Sequence, residues 1–353
     1  MNEKLICDYK FLHQIPEESF KEFKTHKYIL EQLKPLNWKV YEIEPTGILA
    51  FFDYGKIETI AFRCEMDGLA IKEENDFDYK STHDGLMHAC GHDGHMAILL
   101  SLAQILSKIK CPRNICLIFQ PSEESYGGAM KIINSEEYQN LNIKEVYGIH
   151  LWPGIKNGVI ASRGRTLMAS ATEIDVTIHG KSSHIANFSD GIDAIKLAYE
   201  LLDKVTKEDG VIFNCGKISS VGARNIVCGK VFLECSLRSF YKIRRKLFLN
   251  KLNSIAREIT NKTKTNIFIN SNRYIPEVKN NLLLFEKYRH LIDEVIAPVY
   301  QAEDFSLYGT NAKCLFLFLG VGDTEPLHSS RFHFDLKVLE KGLKILTTIA
   351  TTY

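Results

Sequence analysis

The sequence predicts an α/β protein of two domains: a mixed, mostly parallel sheet flanked by helices, with a small α+β sandwich inserted into it. Three observations predict this. Residues 114–120 are a continuous apolar run, the pattern of a strand buried on both faces, and residues 145–151 read as another buried strand. Residues 95–109, ahead of both, have helical periodicity, with Met96, Leu99, Leu100, Leu102 and Ile105 on one side. After about Arg165 the pattern changes, and residues 171–179 alternate as a half-exposed strand does.

In order, residues 3–35 read as helix, with Leu5, Tyr9 and Leu12 and, after Pro16, Phe20, Phe23, Tyr28, Ile29 and Leu33. Short β-rich runs follow at 38–43, 46–52 and 59–64, bounded by glycine and charge. Residues 128–135 read as helix. Strands alternating with helices imply a largely parallel sheet. Beyond Arg165, strand 171–179, helix 191–205, strand 229–237, helix 244–259 and strand 265–269 belong to a pattern of strand, helix, strand, strand, helix, strand. Spread over about 110 residues, it suits a small antiparallel α+β sandwich. Tyr274-Ile275-Pro276 returns the chain to the first domain, completed by helix 282–295, strand 314–319 and helix 336–348. The expected domains are therefore 1–165 with 275–353, and an inserted 166–274.

Composition excludes several classes. With 353 residues, 45% hydrophobic and 25% charged, the chain fits a soluble globular protein. A net charge of +1 gives no basic excess for nucleic acid or an anionic membrane. Met1 to Glu22 lack the apolar run of a signal peptide, and no segment reaches the roughly 18 apolar residues of a spanning helix. A cytoplasmic location is expected. The nine irregularly spaced cysteines argue against a disulfide framework. Most are expected to be buried small hydrophobes.

The chemistry concentrates in His88-Ala89-Cys90-Gly91-His92-Asp93 and His95. If the backbone is extended there, His88, Cys90 and His92 point to one side. Imidazole and thiolate suit zinc-like divalent ions. One histidine alone would be an ordinary polar residue; three with a thiol and a carboxylate in eight positions are not. Glu123 and Glu124 follow a buried strand, where α/β sheets place their ligands. Adjacent carboxylates repel, so they call for a cation or a raised pKa. His150 and His328 also follow apolar strands.

These residues identify a resemblance. The segments Met66-Asp67-Gly68-Leu69, Met87 to His95, Phe119 to Glu124, Gly148-Ile149-His150, Gly180 to His184, Asn225, Arg238, Glu303-Asp304-Phe305 and Pro326 to Ser329 resemble the M20 metallopeptidase and amidohydrolase family in order and spacing. The matching branch is that of aminoacylase, hippurate hydrolase, auxin-conjugate hydrolase and N-acetyldiaminopimelate deacetylase. The resemblance covers nearly the whole chain. It implies a di-metal exopeptidase-like fold and two divalent ions, zinc, manganese, cobalt or nickel. Cys90, His92, Glu124, His150 and His328 match the metal ligands, and Glu123 the catalytic base. Asp67 matches the acidic residue that supports the site by orienting His92. His184 matches a histidine that stabilises the oxyanion. Asn225 and Arg238 match substrate-binding positions, where an arginine can hold a carboxylate with two hydrogen bonds.

Some positions depart from the family pattern. Glu65 and Ala70 replace the usual Asp and Pro, and Ala302 replaces a Gly. Residues 185–189 replace an Ala-Ala-x-Pro-His run beside the substrate, so acyl and side-chain preference cannot be copied. The implied reaction is metal-dependent hydrolysis of the amide of an N-acyl, chiefly N-acetyl, amino acid. The competing readings are a dipeptidase or aminopeptidase of the same class, a metal-binding scaffold, and thiol catalysis by Cys90. Because His184 lies in the inserted domain, closure about hinges near 163–165 and 274–276 is expected. The expected partner is a small N-acyl amino acid, with assembly as a homodimer or higher homo-oligomer.

Overall fold

The computed structural model describes residues 3–125, 127–205 and 209–352. They form two compact units. One runs to Leu167 and resumes over Lys279–Ala297 and from Asp304; the other is Met168–Val278 with Pro298–Glu303.

The first unit is built on an eight-stranded sheet. Its strands are β1 (Lys39–Ile43), β2 (Gly47–Phe52), β3 (Thr59–Glu65), β4 (Asn114–Gln120), β5 (Ile143–Trp152), β6 (Ile160–Ser162), β14 (Glu294–Val295) and β15 (Lys313–Gly320). They lie in the order β1-β2-β4-β3-β5-β15-β6-β14. The central four, β4, β3, β5 and β15, are parallel. The joins β1–β2, β2–β4 and β15–β6 are antiparallel. Every residue of β3 and β4 is buried; the apolar run of β4 predicts this, whereas β3 also buries Arg63 and Glu65. Helix α3 (His92–Leu106) packs against β3, α1 (Glu3–His13), α2 (Phe23–Leu33) and α9 (Val338–Thr351). It is apolar almost all round because neighbours cover it on every side.

Two helical expectations change. The segment 3–35 is two helices, separated by a loop that holds Pro16, whose ring removes a backbone donor. The expected helix 282–295 stops early. Helix α8 (Leu282–Lys287) is capped by Asn281, whose side chain accepts from Leu283 and Leu284 N–H. Beyond it, Asp293 exchanges hydrogen bonds with Ile160, and Val295 pairs with Ser162. The open sheet edge captures this apolar run as a strand.

The second unit is antiparallel. β8 (Ser170–His179), β9 (Val211–Val221), β10 (Lys230–Ser239) and β11 (Asn266–Asn270) lie in the order β11-β8-β10-β9, and β12 (Tyr274–Ile275) also pairs with β8. Alternate residues Ile174, Val176, Ile178, Val231, Leu233 and Leu237 face one side. There they meet Leu197 and Leu201 of α6 (Ala194–Lys204) and Phe248, Leu252 and Ile255 of α7 (Lys242–Thr263). β7 (Arg165–Met168) and β13 (Val278–Asn280) lie where the chain passes between the units.

Candidate metal centre

Parallel pairing brings the C-terminal ends of β3, β4, β5 and β15 to one edge, the edge at which open α/β sheets carry their sites. Asp67 follows β3, Glu123 and Glu124 follow β4, and His150 lies near the end of β5. The turn before α3 adds Cys90 and His92. Gly91 makes that turn at φ +82, and a Cβ there would sit 2.9 Å from Leu151 Cδ1. The residue must therefore be glycine.

Within this edge, potential ligand atoms cluster within 4.8 Å of one another in three overlapping sets: Cys90 with His92 and His150, Cys90 with Glu124 and His328, and His92 with Glu123 and Glu124. Cys90 Sγ lies 3.6 Å from His150 Nε2. Glu124 Oε1 lies 3.2 Å from His328 Nε2 and 4.0 Å from His92 Nε2.

Hydrogen bonds settle which ring nitrogens stay open. His150 Nδ1–H donates to the Leu151 carbonyl at 2.7 Å, leaving Nε2 toward Cys90. His92 Nδ1–H donates to the Asp67 carbonyl at 2.8 Å, leaving Nε2 toward Glu124. His95 has neither nitrogen open: its Nε2 accepts from Leu151 N–H at 2.9 Å and its Nδ1–H donates to Glu65 at 2.7 Å. The run from His88 is not an extended strand, since the left-handed Gly91 breaks it. His88 is buried and joins none of the ligand-type groups found among the described residues.

The electrostatics call for a cation. Burial alone would lower the His92 imidazole, but the Asp67 carboxylate, 3.5 Å from Nδ1, and the charges of Glu65 and Glu124 lift it to about 10. Burial pushes the Cys90 thiol up, and Glu124 and Glu123 push it further. Burial and the neighbouring His95 hold His150 neutral. Without a cation, this pocket retains protons at Cys90 and His92. His92 Nε2 and Glu124 Oε1 are buried without a hydrogen-bond partner, a costly state that a divalent ion removes. Thiolate, imidazole and carboxylate together fit zinc and related ions.

The loop after β4 is held from two sides. Asp67 accepts the backbone N–H of Glu123 at 3.1 Å and of Glu124 at 3.0 Å, and the Ser19 hydroxyl at 2.7 Å. Ser122 has a left-handed φ of +49, unusual for a residue with a side chain. Its N–H donates to Glu22 at 2.9 Å. His328 is also left-handed, at φ +67, and its N–H donates to the Ala89 carbonyl at 2.8 Å. Sequence reasoning missed Ser19 and Glu22, whose partners lie far along the chain; their only signal was polar side chains in a break between two helices.

Beneath the site lies a buried ionic network, also unforeseen. Arg63 pairs with Glu65, with Asp304 at 2.6 Å and with Gln120 Oε1 at 2.9 Å. Asp304 further accepts from Gln120 Nε2 at 2.8 Å and from Ala129 N–H at 3.2 Å. Glu65, one of the departures from the family pattern, thus spans Arg63 and His95.

The remaining candidates lie in the second unit. His184 is exposed, and its Nδ1 accepts the Ala186 N–H at 3.1 Å, which places the ring proton on Nε2. Its segment is tied to that of Asn225, whose carbonyl accepts the Ile185 N–H at 2.9 Å. Arg238 is half-buried on β10 and donates to Ser236 Oγ at 2.7 Å.

Residues 61–352 match the model of peptidase family M20/M25/M40. An N-acetyldiaminopimelate deacetylase of Leuconostoc mesenteroides is 31% identical, with 98% of this chain and 96% of the relative covered. A dinuclear metal binding peptidase of the M20 family from Bacillus subtilis is 26% identical, with a TM-score of 0.86 over 98% of this chain and 96% of that one. A structure from methicillin-resistant Staphylococcus aureus reaches a TM-score of 0.91 at 24% identity over 99% of this chain and 96% of that one, and so speaks for the fold.

Proposed function

The chain belongs to peptidase family M20/M25/M40, and from that premise we propose that it hydrolyses the amide bond of N-acetyl and related N-acyl amino acids, releasing a carboxylate and a free amino acid. One observation carries the reading: unpartnered buried ligand atoms of His92 and Glu124 stand beside a further carboxylate, Glu123. The deacetylase relative supports the substrate class.

Cys90, His92, Glu124, His150 and His328 would hold two divalent ions, of zinc, manganese, cobalt or nickel. When bound, these supply Lewis-acid activation of water and of the amide carbonyl. Glu123 accepts the proton of the attacking water and returns it to the leaving amine. Asp67 fixes Glu123 and Glu124 through their backbone N–H groups. From the family resemblance, His184 donates to the developing oxyanion through Nε2, and Asn225 and Arg238 hold the substrate. The second unit acts as lid or dimerisation domain of a homodimer or higher homo-oligomer. A cytoplasmic site of action agrees with the metabolite substrate; among the described residues no helix is long and apolar enough to cross a membrane.

The test is a panel of N-acetyldiaminopimelate, other N-acetyl amino acids, hippurate-like conjugates and dipeptides, run with each metal. Turnover of N-acyl substrates should exceed that of dipeptides, and Glu123→Gln should keep its metal while losing roughly 10²-fold or more in turnover. Dipeptides as the preferred substrates, or a fully active Glu123→Gln, would overturn the reading.

A further inference from the structure

The loop between α1 and α2 contributes no candidate metal ligand, yet its polar side chains reach the backbone of Ser122, just before the glutamate pair, and the Asp67 carboxylate that holds the pair. Glu22 is fully buried. Its carboxylate accepts Phe20 N–H at 2.9 Å, Ser122 N–H at 2.9 Å and the Thr46 hydroxyl. Among the described residues no cation pairs with this buried carboxylate, so these three donors are what hold it. Two of them are local or from β-strand connections; the third, Ser122, is 100 residues away and directly precedes Glu123.

Ser122 is where the loop needs holding. Its left-handed φ of +49 is disfavoured for serine, so the turn persists only if neighbours enforce it. The turn is also sterically tight: a Cβ on Gly128 would lie 1.6 Å from the Pro121 carbonyl oxygen. Three residues before Glu22, Ser19 donates to Asp67 at 2.7 Å, and Asp67 takes the N–H groups of Glu123 and Glu124. One loop therefore fixes Ser122 directly and the two glutamates through Asp67. The N–H groups of three consecutive residues all end on carboxylates.

We propose that Glu22 is a positioning residue for the base: by holding the Ser122 N–H it keeps the turn left-handed and so aims the Glu123 carboxylate. This rests on the reading of Glu123 as the base. Glu22 touches no reacting atom, and its effect runs through the backbone. Replacing it by glutamine keeps the shape but turns one oxygen into an NH₂ group. With that group toward Thr46, whose hydroxyl then accepts, the remaining oxygen still meets Ser122 N–H, but the hold loses the carboxylate charge that strengthens it.

The test is a double-mutant cycle in the metal-loaded enzyme, with metal content and thermal midpoint measured for each variant. Glu22→Gln should lower kcat at least tenfold, with KM within twofold and two metals per chain retained. In a Glu123→Gln background it should change the residual turnover by less than twofold, because there is no base left to aim. A merely structural role would lower both backgrounds alike, and that result overturns the proposal. So does a Glu22→Gln enzyme whose kcat stays within twofold of wild type. If Glu22→Gln does not fold, Thr46→Val removes one donor to the Glu22 carboxylate and leaves the charge. It should lower kcat about threefold in wild type and leave Glu123→Gln unchanged; equal kcat with and without Thr46→Val in the wild-type background overturns the proposal. Full turnover by Glu123→Gln overturns the base assignment and this inference together, whereas an inactive Glu123→Gln beside an unaffected Glu22→Gln overturns this inference alone.

Discussion

The ring of His92 is oriented chiefly by the backbone of Asp67: its Nδ1 lies 2.8 Å from the Asp67 carbonyl oxygen and 3.5 Å from the nearer carboxylate oxygen. The side chain of Asp67 is committed elsewhere, to the N–H groups of Glu123 and Glu124 and to Ser19. Asp67→Asn should therefore leave the His92 contact in place and disturb the glutamate loop. Turnover should fall roughly 10- to 100-fold, with metal stoichiometry changing less than turnover. Elemental analysis beside steady-state kinetics decides this; loss of metal in step with activity would return Asp67 to the role of ring support.

His13 predicts a pH dependence of stability. Burial lowers this imidazole, but the hydrogen bonds its ring N–H groups donate to Asp93 at 2.6 Å and Glu73 at 3.0 Å raise it to about 9. A raised folded-state pKa stabilises below the unfolded value, roughly 6.5, and the effect fades as pH climbs through the folded value. The full contribution is of the order of 3 kcal/mol. His13→Asn should thus be clearly less stable than wild type at pH 6, with the gap narrowing toward pH 9.5. Thermal midpoints across that range test it, and a gap independent of pH would contradict it.

Arg63 balances two buried acids, Glu65 and Asp304. Arg63→Met leaves both carboxylates without their cation in a dry environment. A loss of roughly 3–5 kcal/mol is expected in denaturant unfolding. A midpoint unchanged from wild type would mean that solvent or other donors replace the guanidinium.

Gly128 has no room for a side chain. The nearest atom to an added Cβ, at 1.6 Å, is backbone oxygen, which cannot rotate away. At Gly216 the same addition meets only Glu234 O at 3.9 Å. Gly128→Ala should lose soluble yield or most turnover, and Gly216→Ala should stay within roughly 0.5–1 kcal/mol of wild type. Similar unfolding curves and turnover for the two variants would refute the steric argument.

Much of the fold is legible in the chain. An unbroken apolar run marks β4, largely apolar stretches mark β3 and β5, and alternation marks β8, because burial on two faces or one leaves those imprints directly. Residues 282–295 mislead because an apolar run signals burial but not the element that buries it. There, Asp293 N–H donates to the Ile160 carbonyl and Ile296 N–H to the Ser162 carbonyl at an open sheet edge, which holds this stretch in extended backbone. Of the nine cysteines, seven are buried, in keeping with their reading as small hydrophobes.

The sequence by itself determined the kind of chemistry: thiol, imidazole and paired carboxylates in motifs at the ends of apolar strands, with a resemblance that covers the chain. Only the tertiary structure decided which atoms are free to act. His92 and His95 are three residues apart on one helix, yet His92 Nε2 faces Glu124 while His95 Nε2 is occupied by the N–H of Leu151. Likewise Ser19 and Glu22 gain their roles from residues 48 and 100 positions away. Residue type is local, but a lone pair is open or spent according to what the fold brings against it.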